Sequence, residues 1–500
     1  MLRVRSRESF GLIKGTLPWQ EGDAYYEECA KTTNKNFRAL LSSIDTSGML
    51  NIAVKIRKVP SATVNIPATR DEARMGGKHL HLPLTFKNGD KWVVRVALQG
   101  GSTSPQELLI QEMNSEVATL IALENADVRI AKAKSRCIIP KGLGTRPPYF
   151  FLEWIDGKSS FTDAEILQKN RWINEIAKEF IKLEKLSYNA IGSLTFKSED
   201  KPDLFVGPMV EPELCGRDKY GRLSQLGPFE NAQDFRIAQV QQVLAQIEGG
   251  FKYSQNSVDA YLIHLEVIDL IKILYPTCQG PHQFYIKHAD DKGDHWIICG
   301  DSFVGTIDWE WWVGKIPGYI TILRLILCGL ADRAYTTTKE EAFAAPLAFV
   351  DVGAFYDGYN GECSPPPVHS EKYIEILAGL SELEDTFVTA FESLERPDLA
   401  ALVRGGKKYQ RLPFVIGSHF SDLPNLFLAF RQLVLGIDSK PTFEEWKKEA
   451  WEKYKGHSFL ALKMMTWDAV TLWGQAITIA ITGDADFDSK FKDPLSGLAK

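Results

Sequence analysis

No run of about 20 uncharged apolar residues occurs in the 500-residue chain, so no transmembrane helix is expected. The longest apolar stretches, 320–328 and 467–481, are broken by Arg324 and Asp468. A basic excess is also lacking. Lys and Arg number 58 against 64 Asp and Glu, for a net charge of −6, which disfavours general binding along a nucleic-acid backbone. The seven cysteines (Cys29, Cys137, Cys215, Cys278, Cys299, Cys328, Cys363) are scattered, odd in number and without a CxxC pair. That pattern argues against a zinc ribbon and a disulfide scaffold, and suits a reducing compartment. The opening MLRVRSRESFGLIKG is basic but has no apolar core, so no signal peptide is expected. The expectation is a cytoplasmic protein with no membrane partner, no nucleic-acid partner and no evident obligate protein partner.

Apolar residues make up 44% of the chain and charged residues 24%, the balance of a globular protein. Past a polar N-terminal extension, the segments Phe37–Ile44, Ile52–Val59 and His79–Leu98 read as β-rich. The last of these is a hairpin. Leu80–Phe86 and Lys91–Ala97 flank Asn88-Gly89, a dipeptide suited to a tight primed turn, and Pro83 suggests an edge strand. Ser104-Pro105 opens a helix over Gln106–Glu124 that carries Glu116 on the same face as Met113, Val117 and Leu120. Tyr149–Ile155 reads as a buried strand. Helical periodicity then runs from Thr162 to about Leu274, with segments near 163–186, 232–248 and 257–274. Short strands return at Trp296–Cys299 and Val304–Ile307, and the rest to about residue 483 is largely helical. Thr442-Phe-Glu-Glu445 is a capping box opening Glu444–Tyr454, and Asp357–Lys372 reads as a surface loop. The fold class expected is α+β, with a β-rich unit over 1–155 and a helical unit over 156–500. A cleft between them is the default ligand site.

The densest polar segment is Phe284-Tyr-Ile-Lys-His288-Ala-Asp290-Asp291-Lys-Gly-Asp294-His295, followed by Thr306-Ile-Asp308-Trp-Glu310. Its carboxylates sit on loops flanking a short hairpin. If they converge, they can hold Mg²⁺ and accept a hydroxyl proton, the two needs of phosphoryl transfer. Alone, His288-x-Asp290 reads as a hydrated acidic turn. Arg95 among valines and Glu116 on an apolar helix face are each costly to bury unless paired, and each supplies the other's partner. His79-Leu-His81 has no third ligand nearby, so it reads as part of a surface strand.

Taken in order, these features resemble the protein-kinase-like superfamily, and within it the aminoglycoside phosphotransferase-like branch abundant in fungi. The string that carries the resemblance is Gly76-Gly77, Trp92–Ala97, Ser115–Leu120, Leu152–Ile155, Ile191–Leu194, Val206–Pro208, Leu226–Phe229, His288–His295 and Ile307–Trp311. The resemblance implies a bilobal fold with ATP and Mg²⁺ as cofactors and a small-molecule acceptor. It implies Asp290 as the base orienting the acceptor hydroxyl, and the Arg95–Glu116 pair over the α- and β-phosphates. It further implies Gly76, Gly77 and Lys78 as the phosphate-covering turn, and the backbone of Glu153 and Ile155 around the adenine. The implied metal ligands are Asp308 and the residue at His295. Arg95 stands where the family usually has lysine. His295 replaces the usual asparagine and offers a nitrogen that suits Mg²⁺ poorly. No A-P-E segment follows Asp308, which favours a small acceptor over a protein. A catalytically silent kinase-like nucleotide-binding or scaffold protein is the alternative. A metal-dependent hydrolase using Asp290, Asp291 and Asp294 is a third, but it leaves Arg95–Glu116 unexplained.

Overall fold

The computed structural model describes residues 34–75, 78–98, 106–140, 146–159, 166–198, 203–210, 215–217, 223–276, 282–288, 295–307, 334–346, 371–417, 423–437 and 441–463, with residues 164, 293 and 465. The first elements correct the expectation of β structure over Phe37–Ile44 and Ile52–Val59. Both are helical, as α1 (34–43) and α2 (Thr46–Arg57). Alternating Ile52, Val54 and Ile56 mimic a strand, but the side chain of Asp45 accepts from the Gly48 amide (2.9 Å) and caps α2. Met49 and Ala53, four apart, are the residues of α2 that bury, which is helical spacing.

A five-stranded antiparallel sheet follows, built from β1 (Ala62–Val64), β2 (Arg74–Met75), β3 (His79–Phe86), β4 (Lys91–Ala97) and β5 (Tyr149–Glu153). β3 pairs with β4, β4 with β5, and both β1 and β2 pair with the outer side of β3. β3 is therefore not the edge strand that Pro83 suggested. The carbonyl of Pro83 accepts from the Asn65 amide (2.9 Å), so its missing N–H lies where β1 gives way to β2. The β3–β4 turn also differs from the primed form. Gly89 takes a positive φ of 88° and Asn88 does not, and the Gly89 amide donates to Phe86 O (2.9 Å).

Both faces of this sheet are covered. Leu80, Leu82, Leu84, Val94, Val96 and Phe151 pack outward with Phe37, Met49 and Ala53 of α1 and α2. Ala97, Phe150 and Leu152 point inward, into a core shared with Met113, Val117 and Leu120 of α3 (Gln106–Asn125). That inner core is continuous with the helical part of the chain. There α4 (Ile166–Leu183), α5 (Ala232–Glu248) and α6 (Ser257–Leu274) lie close to the helices expected from periodicity. The region between α4 and α5 is a correction to that reading, because it holds the short strands β6 (Ser187–Tyr188), β7 (Ser193–Phe196), β8 (Leu204–Gly207), β9 (Cys215–Arg217) and β10 (Leu223–Gln225).

Next come β11 (Phe284–Lys287), the β12–β13 hairpin (Trp296–Cys299 and Ser302–Thr306) and β14 (Tyr335–Thr337). β11 lies between β14 and β6 in a three-stranded sheet. The chain continues through α7 (Lys339–Ala342), α8 (Glu371–Ser393), α9 (Pro397–Gly405), α10 (Lys407–Gly417), α11 (Leu423–Leu435) and α12 (Phe443–Tyr454). Thr442 and Glu445 form the expected capping box on α12. The Asp357–Lys372 loop lies outside the described residues up to 370, and its last two residues begin α8. The architecture is α+β. A hairpin, an acid-bearing helix and a connecting strand precede a mainly helical part.

Candidate active site

Arg95 lies on β4 directly opposite His81 of β3, and its side chain faces α3. Its Nε is 3.1 Å from Glu116 Oε2, with both side chains 2% exposed. A charge taken this far from water is held only by a close opposite charge, and α3 supplies it from the face that also presents Met113, Val117 and Leu120. A second bond fixes the guanidinium. Arg95 Nη1 lies 2.9 Å from His81 Nε2, and because arginine can only donate, His81 must present that nitrogen as a lone pair. His79, expected on a surface strand, is instead buried where β3 passes beneath the inner core.

The segment that follows β5 and the β12–β13 hairpin are joined by backbone hydrogen bonds. Lys158 and Ile298 exchange backbone hydrogen bonds of 2.8 and 2.9 Å. Gly157, at φ 151°, makes that approach possible, because a Cβ there would lie 2.5 Å from Ile297 Cγ2 and 2.7 Å from Ile298 O. Arg129 ties the same hairpin to α4. Its Nε donates to Glu179 (2.6 Å), Nη2 to Glu175 (2.7 Å) and Nη1 to Phe303 O (2.7 Å), while its own carbonyl accepts from the Thr306 amide (2.9 Å). Burial disfavours its charge, but the bonds to Glu179 and Glu175 outweigh that and hold it above the ordinary guanidinium value. β13 is thus aimed from two sides just before Asp308. Glu153 and Ile155 sit at the end of β5, half-buried. The Glu153 amide donates to Lys132 O (2.9 Å).

His295 is 3% exposed and its ring stacks on His288, with centroids 4.2 Å apart and planes 19° apart. The pair lines a cavity of about 30 Å³ with Glu179 and Thr306, room for a small polar occupant such as water. Lys78 immediately precedes β3, and its carbonyl accepts from the Leu98 amide (2.7 Å). Gly76, Gly77, Asp290 and Asp308 lie outside the described residues, as do Asp291 and Asp294. Of the expected site residues, the structure therefore joins Arg95 to Glu116, and it sets Ile155 against Gly305 of β13 and Glu153 beside Trp92 and Lys132. Among the described residues, no group of three His, Cys, Asp or Glu side chains is arranged to hold a metal.

The sequence reading missed a buried charge cluster beneath β11, the strand that leads to His288. Arg236 of α5 pairs with Glu341 of α7, at side-chain exposures of 2% and 1%. Glu341 also accepts from Tyr335 (2.6 Å), Thr337 (2.7 Å) and Tyr275 (3.4 Å). Burial favours the neutral acid, yet the Arg236 charge outweighs it and keeps the Glu341 carboxyl below its ordinary value. Arg236 is held well above its own ordinary value despite burial, chiefly by Glu341. The two residues are 105 apart in sequence, so no local spacing announces them.

No family model matches the chain, and no curated protein does. Solved structures do align along most of its length. A thermostable mutant of the aminoglycoside phosphotransferase APH(4)-Ia, in ternary complex with AMP-PNP and hygromycin B, is 11% identical at a TM-score of 0.38. The alignment covers 77% of this chain and 99% of that one. A Thermobifida fusca protein assigned as a fructosamine-3-kinase gives 11% identity and a TM-score of 0.40 over the same shares, 77% and 99%. The streptomycin–ATP–APH(2")-IIa ternary complex gives 10% and 0.37, over 81% of this chain and 98% of that chain. Among the described residues, no helix is long and apolar enough to cross a membrane.

Proposed function

We propose that the chain is an ATP- and Mg²⁺-dependent phosphotransferase acting on a hydroxyl group of a small molecule. The observation that carries this reading is the Arg95–Glu116 pair, 3.1 Å apart and buried between a sheet strand and a helix. A buried ion pair is weak evidence for stability, since its desolvation offsets most of its attraction. Its retention is better explained by a use for a fixed cation at the inner face of β4. In this reading the two units, 1–155 and 156–500, enclose the nucleotide. Arg95 faces the α- and β-phosphates, Glu116 holds it there, and Gly76, Gly77 and Lys78 cover the phosphates. The Glu153 amide donates to Lys132 O, and in this reading the Glu153 carbonyl and the Ile155 backbone meet an adenine edge.

Asp290 would accept the proton of the acceptor hydroxyl. Asp308 would be the principal Mg²⁺ donor, with Asp291 or Asp294 as hard-oxygen companions. Bound Mg²⁺ would neutralise charge developing between the β- and γ-phosphates. With its ring turned inward against His288, His295 fits a loop-positioning role better than a metal-binding one. The same inward His295 is what favours the second reading, a catalytically silent kinase-like nucleotide binder. A reducing, cytoplasmic setting goes with either.

Asp308→Asn keeps the side-chain shape and removes the charge. It is expected to weaken MgATP binding by about 10–100-fold or more while leaving thermal unfolding little changed. Titration calorimetry with ATP, in the presence and absence of Mg²⁺, reads this directly. Equal MgATP affinity in the two proteins would remove Asp308 from the metal site.

A further inference from the structure

Cross-strand partners share a face, so Arg74, His81 and Arg95, opposite one another on β2, β3 and β4, all lie on the inner face of the sheet. Lys91 belongs to that face too, two residues from Val93 and four from Arg95 along β4. Trp154 continues β5 beyond its last paired residue, its amide donating to Lys91 O (3.4 Å). Two residues on from Leu152, it follows the inward side of that strand. Its ring is half-buried and is fixed in orientation by Nε1, which donates to Asp156 Oδ1 (2.8 Å). The exposed guanidinium of Arg74 reaches diagonally across the sheet to lie 4.8 Å from the Trp154 ring centroid, and Lys91 Nζ lies 5.8 Å from it. Arg74 is also two residues before Gly76.

A planar cation resting on a held indole marks a surface that takes a planar ring, flanked by positive charge. A purine carrying phosphates has that combination of properties. We infer that Trp154 is the stacking platform for the nucleotide base, and that Arg74 occupies it until a base arrives and then turns towards the phosphates. This deepens the phosphotransferase reading and rests on it for the presence of a nucleotide. It adds roles for two side chains, Trp154 and Arg74, that neither the resemblance nor the ion pair assigned.

The test titrates MgADP and adenosine into wild type, Trp154→Leu and Arg74→Gln, following tryptophan fluorescence and calorimetric affinity. Wild type should show a fluorescence change on MgADP binding that Trp154→Leu lacks, with affinity falling about 5- to 150-fold, the range for one base–aromatic stack. Arg74→Gln alters an exposed side chain and leaves folding intact. It should bind adenosine about two- to fivefold more tightly, because the competing cation is gone and adenosine has no phosphate to miss it. Trp154→Leu binding MgADP as wild type does would overturn the platform and leave the phosphotransferase reading standing. Unchanged adenosine affinity in Arg74→Gln would overturn the role given to Arg74, and that arm still reads if Trp154→Leu fails to fold. Folded wild type that binds no MgADP would overturn both readings.

Discussion

Glu341→Gln is expected to lower the stability of the fold by about 3–5 kcal/mol, the usual penalty for removing one partner of a buried ion pair. Glutamine keeps the side-chain shape and one acceptor oxygen, enough for Tyr335, while its NH2 would face the Thr337 and Tyr275 hydroxyls, which must turn to accept from it. What is lost is the negative charge beside Arg236, a guanidinium 2% exposed that cannot shed its proton. Against a typical total of about 5–15 kcal/mol, that loss is a large fraction. Urea unfolding should show a lower midpoint at unchanged slope. Replacing both charges, as Arg236→Met with Glu341→Gln, should recover part of the difference, because no buried charge is left unpaired and an acceptor remains for the Tyr335 hydroxyl. A single variant as stable as wild type would mean that the Arg236 charge finds compensation elsewhere.

Asp290→Asn should leave MgATP binding nearly intact and lower turnover by about 10²–10⁴-fold, the range for a positioned acid–base group. Background ATP hydrolysis is the assay to run first, since water can stand in for the unidentified acceptor. His295→Asn sharpens the result. If the position touches metal, the restored oxygen should preserve or raise activity, whereas a purely positioning His295 should lose activity when its stack on His288 is removed. Wild-type hydrolysis indistinguishable from that of Asp290→Asn, in protein shown to bind MgATP, would favour the silent binder.

Where sequence and structure agree, the signal was local. The β3–β4 hairpin, α3, α5 and α6 follow from hydrophobic period and turn residues, and the Thr442–Glu445 box announces α12. The Arg95–Glu116 pair was legible for a different reason: each charge stood where only the other could make its burial tolerable. Misreadings came from patterns with two solutions. Ile52-Ala-Val-Lys-Ile56 alternates like a strand, and only the Asp45 cap and the burial of Met49 and Ala53 select the helix. Pro83 pointed to an edge because sequence cannot show that two short strands share one flank of β3. Arg236 and Glu341 were illegible, since their pairing depends on α5 and α7 meeting beneath β11. The carboxylates on which catalysis would turn, Asp290 and Asp308, rest on sequence alone.

Arg129 has a mechanical consequence. One residue binds Phe303 through its guanidinium and Thr306 through its backbone, while Glu175 and Glu179 grip it from α4. The connecting segment, α4 and β13 therefore behave as a single stiff beam. Two-point attachment resists rotation as well as separation, so this beam cannot act as the flexing joint if the site opens and shuts. Among the described residues, the thin flank of the sheet, where β1 and β2 each offer only two or three residues of pairing, is more weakly held than this beam. Arg74 stands on that flank.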